Sequence, residues 1–453
     1  MIAKARGTEH AGGTSRPPCL HLTSLLAVLA VLCSAHAMAQ QAQEGEGWRR
    51  HVIDDTALGA RAIYPLDVNG NGLMDLAVPW EESGEVRLYF NPGAFAAREP
   101  WPYVVVGEVD APMDASIIDL DRDGSFDVIS ATGGDNKTLY IHWGPPEVER
   151  YAAPEAWTTQ AIPDSQGRRA WTFVRPAQLT AREGMDLVAG AQGTDAALGW
   201  FEAPPDARRL QDWTWRPLRP ARAITALIIH DMNKNRRPDI IFAEREGQLR
   251  GVWWLEHPGL DRIRQPWPPN RVGAYTKAVT ALAAGDLDGD GATDFVAVTE
   301  AGEVLRFGPA PEAEQRVGEQ RWLQRPIQIP RRTGAGAGIA MGDITGDARQ
   351  DIIVTTTGAT GSAGVYRLSY HSGQTWRAFP ISGPEGSDFG PLQLLDLSGN
   401  GALDVLSSEA ELGLIWYESP FRAPFLRDGD EEEALEPERL ETEPLQRRQF
   451  TPR

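Results

Sequence analysis

The chain has 453 residues, enough for one large repeat domain or about three ordinary ones. Asp and Glu outnumber Lys and Arg by 63 to 44, a formal net charge of −19. That balance disfavours a nucleic-acid partner, because phosphate binding needs a basic face.

Taken in order, the first feature is a mostly apolar run from Leu20 to Cys33, preceded by Lys4, Arg6 and Arg16 and followed by Ala37-Met38-Ala39. This arrangement predicts a secretory signal over 1–39, cleaved after Ala39. Leu32 is bulkier than the residue a lipobox carries before its cysteine, which argues against a lipid anchor on Cys33. No second apolar stretch is long enough to span a membrane. Residues 40–47 read as a flexible leader. Both cysteines, Cys19 and Cys33, fall in the segment removed, so the mature chain is expected to form no disulfide in an oxidising compartment.

From Asp67 onward one pattern recurs: DVNGNGLMD at 67–75, DLDRDGSFD at 119–127, DMNKNRRPD at 231–239, DLDGDGATD at 286–294, DITGDARQD at 343–351 and DLSGNGALD at 396–404. A degenerate copy, QLTAREGMD at 178–186, fills the gap and keeps only the last aspartate. A regular period above 40 residues signals a propeller or array. Oxygen donors at positions 1, 3, 5 and 9, with glycines permitting a tight turn, suit a hard cation that accepts six to eight oxygens, which is Ca²⁺. An EF-hand would need a glutamate at position 12 of the 286 loop, where Ala297 stands, and Phe295–Val298 reads as a strand. The predicted site is therefore strand–loop–strand.

Around each loop the same context returns. A small and β-branched segment precedes it (ITALIIH, VTALAAG), and an aromatic segment follows (VWWLEHPG, LIWYESPF). A tryptophan-led segment then begins at Trp101, Trp157, Trp213, Trp267, Trp322 or Trp376. Four strands per unit and seven units predict an all-β, seven-bladed β-propeller over 48–426. The seventh outer strand is missing after Phe421, and Trp48–Asp54 has its pattern, so the N-terminal strand is expected to close the ring. The regular tryptophans are expected mainly to pack between blades. Residues 427–453, rich in Glu, Pro, Arg and Gln, read as an acidic disordered tail.

On these loops and this period the chain resembles the VCBS/FG-GAP-type repeat proteins, whose calcium-loop propellers are related to the integrin α-chain head. The resemblance implies Ca²⁺ ligands at Asp286, Asp288, Asp290 and Asp294, and at Asp119, Asp121, Asp123 and Asp127. Weaker sets are Asp67, Asn69, Asn71 and Asp75, and Asp231, Asn233, Asn235 and Asp239. Asp343, Asp347 and Asp351, with Thr345 at position 3, and Asp396, Asn400 and Asp404, with Ser398 there, are weaker still by charge count. The 178 loop is expected to hold no ion, because Arg182 would place a positive charge inside it. The bare alternative for all these loops is an Asp/Asn/Gly turn without metal.

The resemblance also places ligand pockets at the mouth of the central channel, on the face opposite the metal loops. Candidate residues there are Arg61, Asp114, Trp171, Arg222, Lys277 and Glu244, a mixed-charge rim that suits a polar ligand such as a carbohydrate. The histidines are scattered, and no GxSxG elbow, HExxH or phosphate-cradling loop is present. A calcium-stabilised module for protein or glycan, secreted or periplasmic, is the favoured function. The alternative is a carbohydrate-active enzyme of the lyase or dehydratase type, with its site in the central funnel.

Overall fold

The computed structural model describes residues 47–422, except 181–183, 248, 312–320, 329–333, 360 and 373–374. The predicted signal, all but the last residue of the leader, and the acidic tail lie outside the described residues. The described chain forms seven four-stranded antiparallel sheets around an axis. In the fifth blade the strands are Val279–Gly285, Asp294–Thr299, Val304–Pro309 and Trp322–Ile327, running outward in chain order. Among the described residues six short 3-10 turns decorate the connections.

The second strand of a blade is covered by neighbours on both faces. Asp75–Trp80, Asp239–Glu244, Asp294–Thr299 and Asp404–Glu409 are buried at every residue. That burial on both faces suits unbroken apolar stretches such as Ile240–Ala243 and Phe295–Val298. The inner strands crowd the axis. A Cβ on Gly338 would lie 2.6 Å from the Thr355 hydroxyl and 2.9 Å from the Gly390 carbonyl, so the seventh blade can approach the sixth only because that position is glycine.

The seventh blade is closed by the other end of the chain. Its order is Arg49–Asp54, Gly413–Glu418, Asp404–Glu409, Phe389–Leu395, with His51 opposite Trp416 and Val52 opposite Ile415. The His51 ring stacks on Trp416 at 4.5 Å, and its Nε2 lies 2.7 Å from Glu418. Arg98 of the first blade reaches the same carboxylate at 2.6 Å. Asp54 ends the closing strand and accepts from Arg87 at 2.5 Å and from Tyr89 at 2.6 Å, both in the first blade. The clasp thus ties the seventh blade to the first through buried polar contacts as well as strand pairing. The predicted architecture and its closure are what is observed.

Four of the six tryptophans do more than fill space. The indole N–H groups of Trp101, Trp157, Trp213 and Trp267 donate to Ala97, Tyr151, Ala207 and Ile263 carbonyls at 2.9–3.0 Å. Each ring is buried, and each bond pins the connection between third and fourth strands over the blade corner.

Candidate functional site

The metal-type loops lie where inner strands hand over to second strands. In the fifth blade, Asp286 accepts from the backbone N–H groups of Gly289 at 2.8 Å, Asp290 at 3.1 Å and Gly291 at 2.9 Å. Gly289 and Gly291 have φ of 76° and 79°, which most side chains resist. Asp67, Asp231, Asp343 and Asp396 wrap their loops in the same way. Position 1 therefore shapes the turn by itself.

Two loops bring carboxylates together. One oxygen from each of Asp286, Asp288 and Asp294 lies within 4.8 Å of the others, and Asp119, Asp121 and Asp127 do the same. Position 5 stays outside these triads: Asp123 and Asp290 each accept from the backbone two residues on, at 2.8 Å. Each triad already draws a guanidinium. Arg306 pairs with Asp288 and, at 3.2 Å, with Asp294. Arg208, from the third blade, pairs with Asp121 and, at 3.2 Å, with Asp123 of the second. Burial pushes the Asp127 carboxyl up to about 7 and that of Asp294 up to about 6. An all-oxygen donor set that attracts cations and strains to stay ionised fits Ca²⁺.

In the weaker loops the amides face differently. Asn69 donates to Asp75 at 3.2 Å, Asn233 turns outward to Glu256 at 2.8 Å, and Asn400 donates to the Ser419 carbonyl at 3.3 Å. In the 178 loop Gln178 plugs the turn by donating to the Thr180 and Gly184 carbonyls at 2.7 and 3.0 Å. Arg182, on which the no-ion expectation rested, lies outside the described residues.

Position 9 holds what sequence reasoning missed. One oxygen of this aspartate takes an N–H at the start of its loop, and the other takes an N–H just beyond the third strand. The pairs are Val68 and Asn91 for Asp75, Leu120 and Gly144 for Asp127, Met232 and His257 for Asp239, and Leu397 and Ser419 for Asp404. Asp186 does the same with Thr180 at 3.0 Å and Ala203 at 2.9 Å, in the degenerate loop. This carboxylate staples three strands together, whatever else it binds. Its persistence in the degenerate copy was the visible signal.

The FG-GAP-like repeat family matches residues 67–130 and 231–297. The chain is a seven-bladed β-propeller that carries FG-GAP-like repeats. No curated protein matches it. Two crystal structures of BBS1N in complex with ARL6DN, one soaked with mercury and one with lead, share the fold at TM-score 0.51 and at 10% and 11% identity. The match covers 83% of this chain and 97% and 98% of theirs.

The six rim candidates of this propeller are each engaged locally. Arg61 pairs with Glu81, and Lys277 with Glu303 at 2.6 Å. Asp114 is buried against Arg175 and accepts from the Val174 N–H at 2.8 Å. Glu244 is buried and accepts from the Arg222 N–H at 2.7 Å, the one contact linking two of the six among the described residues. Trp171 must be corrected: its ring is fully buried between Phe201 and Trp215, at 5.5 and 5.0 Å, and offers no surface to a ligand. Its apolar surroundings claimed it for the core, as they did Trp101, Trp157, Trp213 and Trp267. Among the described residues no helix is long and apolar enough to cross a membrane.

Proposed function

We propose that this FG-GAP propeller is a secreted or periplasmic binding module for a protein or glycan, with calcium stiffening the loops of its second and fifth blades. The observation that carries the reading is the pair of convergent aspartate triads on a rigid, ring-closed scaffold. Calcium there would supply positive charge where two strands meet, and Asp119, Asp121, Asp127, Asp286, Asp288 and Asp294 would hold it.

Several features support the binding part of the reading. His142, fully buried, is held between the Ser130 and Thr159 hydroxyls at 2.9 and 2.8 Å, and burial pushes it down to about 3. A neutral imidazole locked in packing suits a scaffold better than a proton shuttle. A fold of this shape is also seen holding a protein, ARL6DN, in the BBS1N complexes. The signal pattern over 1–39 supports export.

The test combines three measurements on the intact protein. N-terminal sequencing of exported material should begin at Gln40. Calcium should raise the melting temperature and chelator should lower it. A glycan array and a protein pull-down, both with calcium, should return at least one ligand. A melting curve indifferent to calcium removes the metal, and silence in both binding screens removes the module.

A further inference from the structure

The outer corner between the fifth and sixth blades differs from the corners of blades one to four. There, long connections such as 90–102 cover the corner, and a buried tryptophan pins each of them. In the sixth blade, strands Val365–Ser372 and Thr375–Pro380 join in a tight hairpin with Ser372 opposite Thr375. Among the described residues nothing of that length overlies the corner, and Trp376 is only partly buried, set edge-to-face against Tyr370 at 5.6 Å and 76°. Tyr370 is 41% exposed. Beside them opens a cleft of about 770 Å³, within the size range of small-ligand sites.

The charges in this cleft are not balanced among themselves. Arg306 and Arg325 stand directly opposite each other on paired strands, where like charges repel. Arg306 has taken the loop's carboxylates, Asp288 and Asp294. Arg325 is exposed and makes no ion pair among the described residues. Arg349 enters from the sixth blade's loop. Its backbone N–H donates to Asp347 at 3.0 Å, while its guanidinium is also unpaired among the described residues.

We propose that this cleft binds an anionic oligosaccharide, with a sugar ring laid on Tyr370 beside Trp376 and its carboxylate or sulfate groups held by Arg325 and Arg349. The assignment rests on the binding-module reading and narrows it. The guanidinium forks of Arg325 and Arg349, unpaired among the described residues, match an acid group bidentately. The exposed Tyr370 ring offers a flat face to the C–H side of a pyranose, with Trp376 set against it edge-to-face. Asp288, at the edge, can accept from sugar hydroxyls. The same carboxylate would repel a run of acidic side chains, which favours a sugar over an acidic peptide. The net charge of −19 opposes any anion at long range, but at physiological salt that repulsion is screened beyond about 8 Å. Local guanidinium contacts therefore decide affinity.

The experiment is calorimetric titration of the intact protein, in calcium, with a galacturonate trimer, a sulfated trisaccharide and a neutral galactose trimer. The proposal expects one anionic trimer to bind at least tenfold more tightly than the neutral one, and the first two arms distinguish carboxylate from sulfate. Arg325→Gln combined with Arg349→Gln should abolish that preference. Tyr370→Ala should weaken binding about tenfold while keeping it. All three residues are exposed, and a melting curve for each variant, with Arg349→Glu as an alternative, checks folding. Failure of both anionic trimers to bind, or binding indifferent to these variants, overturns the proposal. If a neutral glycan or a protein then binds with unchanged affinity in the variants, the binding-module reading survives without this cleft; if nothing binds, both fall.

Discussion

In the fifth blade the turn between inner and second strands is Asp286–Asp294, and in the third blade it is Gln178–Asp186. The first gathers Asp286, Asp288 and Asp294 and draws in Arg306. The second has no such gathering among its described residues and fills the turn with the Gln178 amide. Yet both keep the ninth-position aspartate, and in the third blade it bonds backbone at both ends. The difference separates two jobs that the repeat superimposes. Positions 1 and 3 add carboxylates to the cluster, while position 9, itself a member of each triad, also sews strands together.

The separation is broken most severely at Asp186. Asp186→Ala would leave the buried N–H groups of Thr180 and Ala203 without acceptors, at about 1–3 kcal/mol each. The expected loss is roughly 3–5 kcal/mol in urea unfolding, identical in calcium and in chelator. A loss that appears only in calcium would show that the third loop binds metal and that the division is wrong.

Next in size is the calcium-dependent stability itself. At a free concentration of about 100 times Kd, one bound ion stabilises by about 2.7 kcal/mol. Asp288→Ala should remove the fifth blade's share of the calcium-induced rise in Tm while leaving the metal-free Tm nearly unchanged. Differential scanning calorimetry of the wild type and variant, with and without calcium, reads both terms.

Much of this was legible before any coordinates. Period, strand composition and the spare Trp48–Asp54 segment specify seven blades and their closure, because each blade repeats the same burial problem. The cages at 119 and 286 follow from charge count at fixed spacing. The ninth-position staple was hidden because a metal ligand and a backbone acceptor call for the same residue. Trp171 misled because sequence marks its place on a crossover but not the Phe201 and Trp215 rings that bury it. The cleft between the fifth and sixth blades was invisible, since it comes from a connection that is short rather than from a motif.

The third blade is tied to the fourth by an ion-pair cluster around Glu202. Glu202, buried, lies 2.9 Å from Arg216 of its own blade and 2.5 Å from Arg264 of the fourth. Hydrogen bonds from Arg264 and then Arg216 hold its carboxyl down to about 2, from 4.5. A depressed acid contributes stability above its unfolded pKa and loses it as pH falls through the folded one. The contribution should therefore be whole above about pH 4.5 and gone near pH 2. With screening at half-exposed Arg264 allowed for, it is about 1–2 kcal/mol. Subtracting the acid limb of Glu202→Gln from that of the wild type isolates it. A difference that is flat across this window would mean the pair is not formed in solution.

The smallest effect sharpens the comparison most, because it concerns what the two loops do without metal. Arg306 lies on Asp288 and Asp294 and so occupies the charge a calcium ion would need. Removing it in Arg306→Ala should cost the metal-free protein about 0.5–1 kcal/mol, the ordinary worth of a partly exposed pair. The same change frees the cage, so calcium affinity should rise by the corresponding factor, about 2–5. The two shifts must have opposite sign if the guanidinium and the ion compete for one set of oxygens. Should Arg306→Ala weaken calcium binding instead, the arginine would be organising the carboxylates rather than competing for them. Gln178 offers the control: Gln178→Ala removes a plug that carries no charge, so calcium affinity measured by titration should not respond.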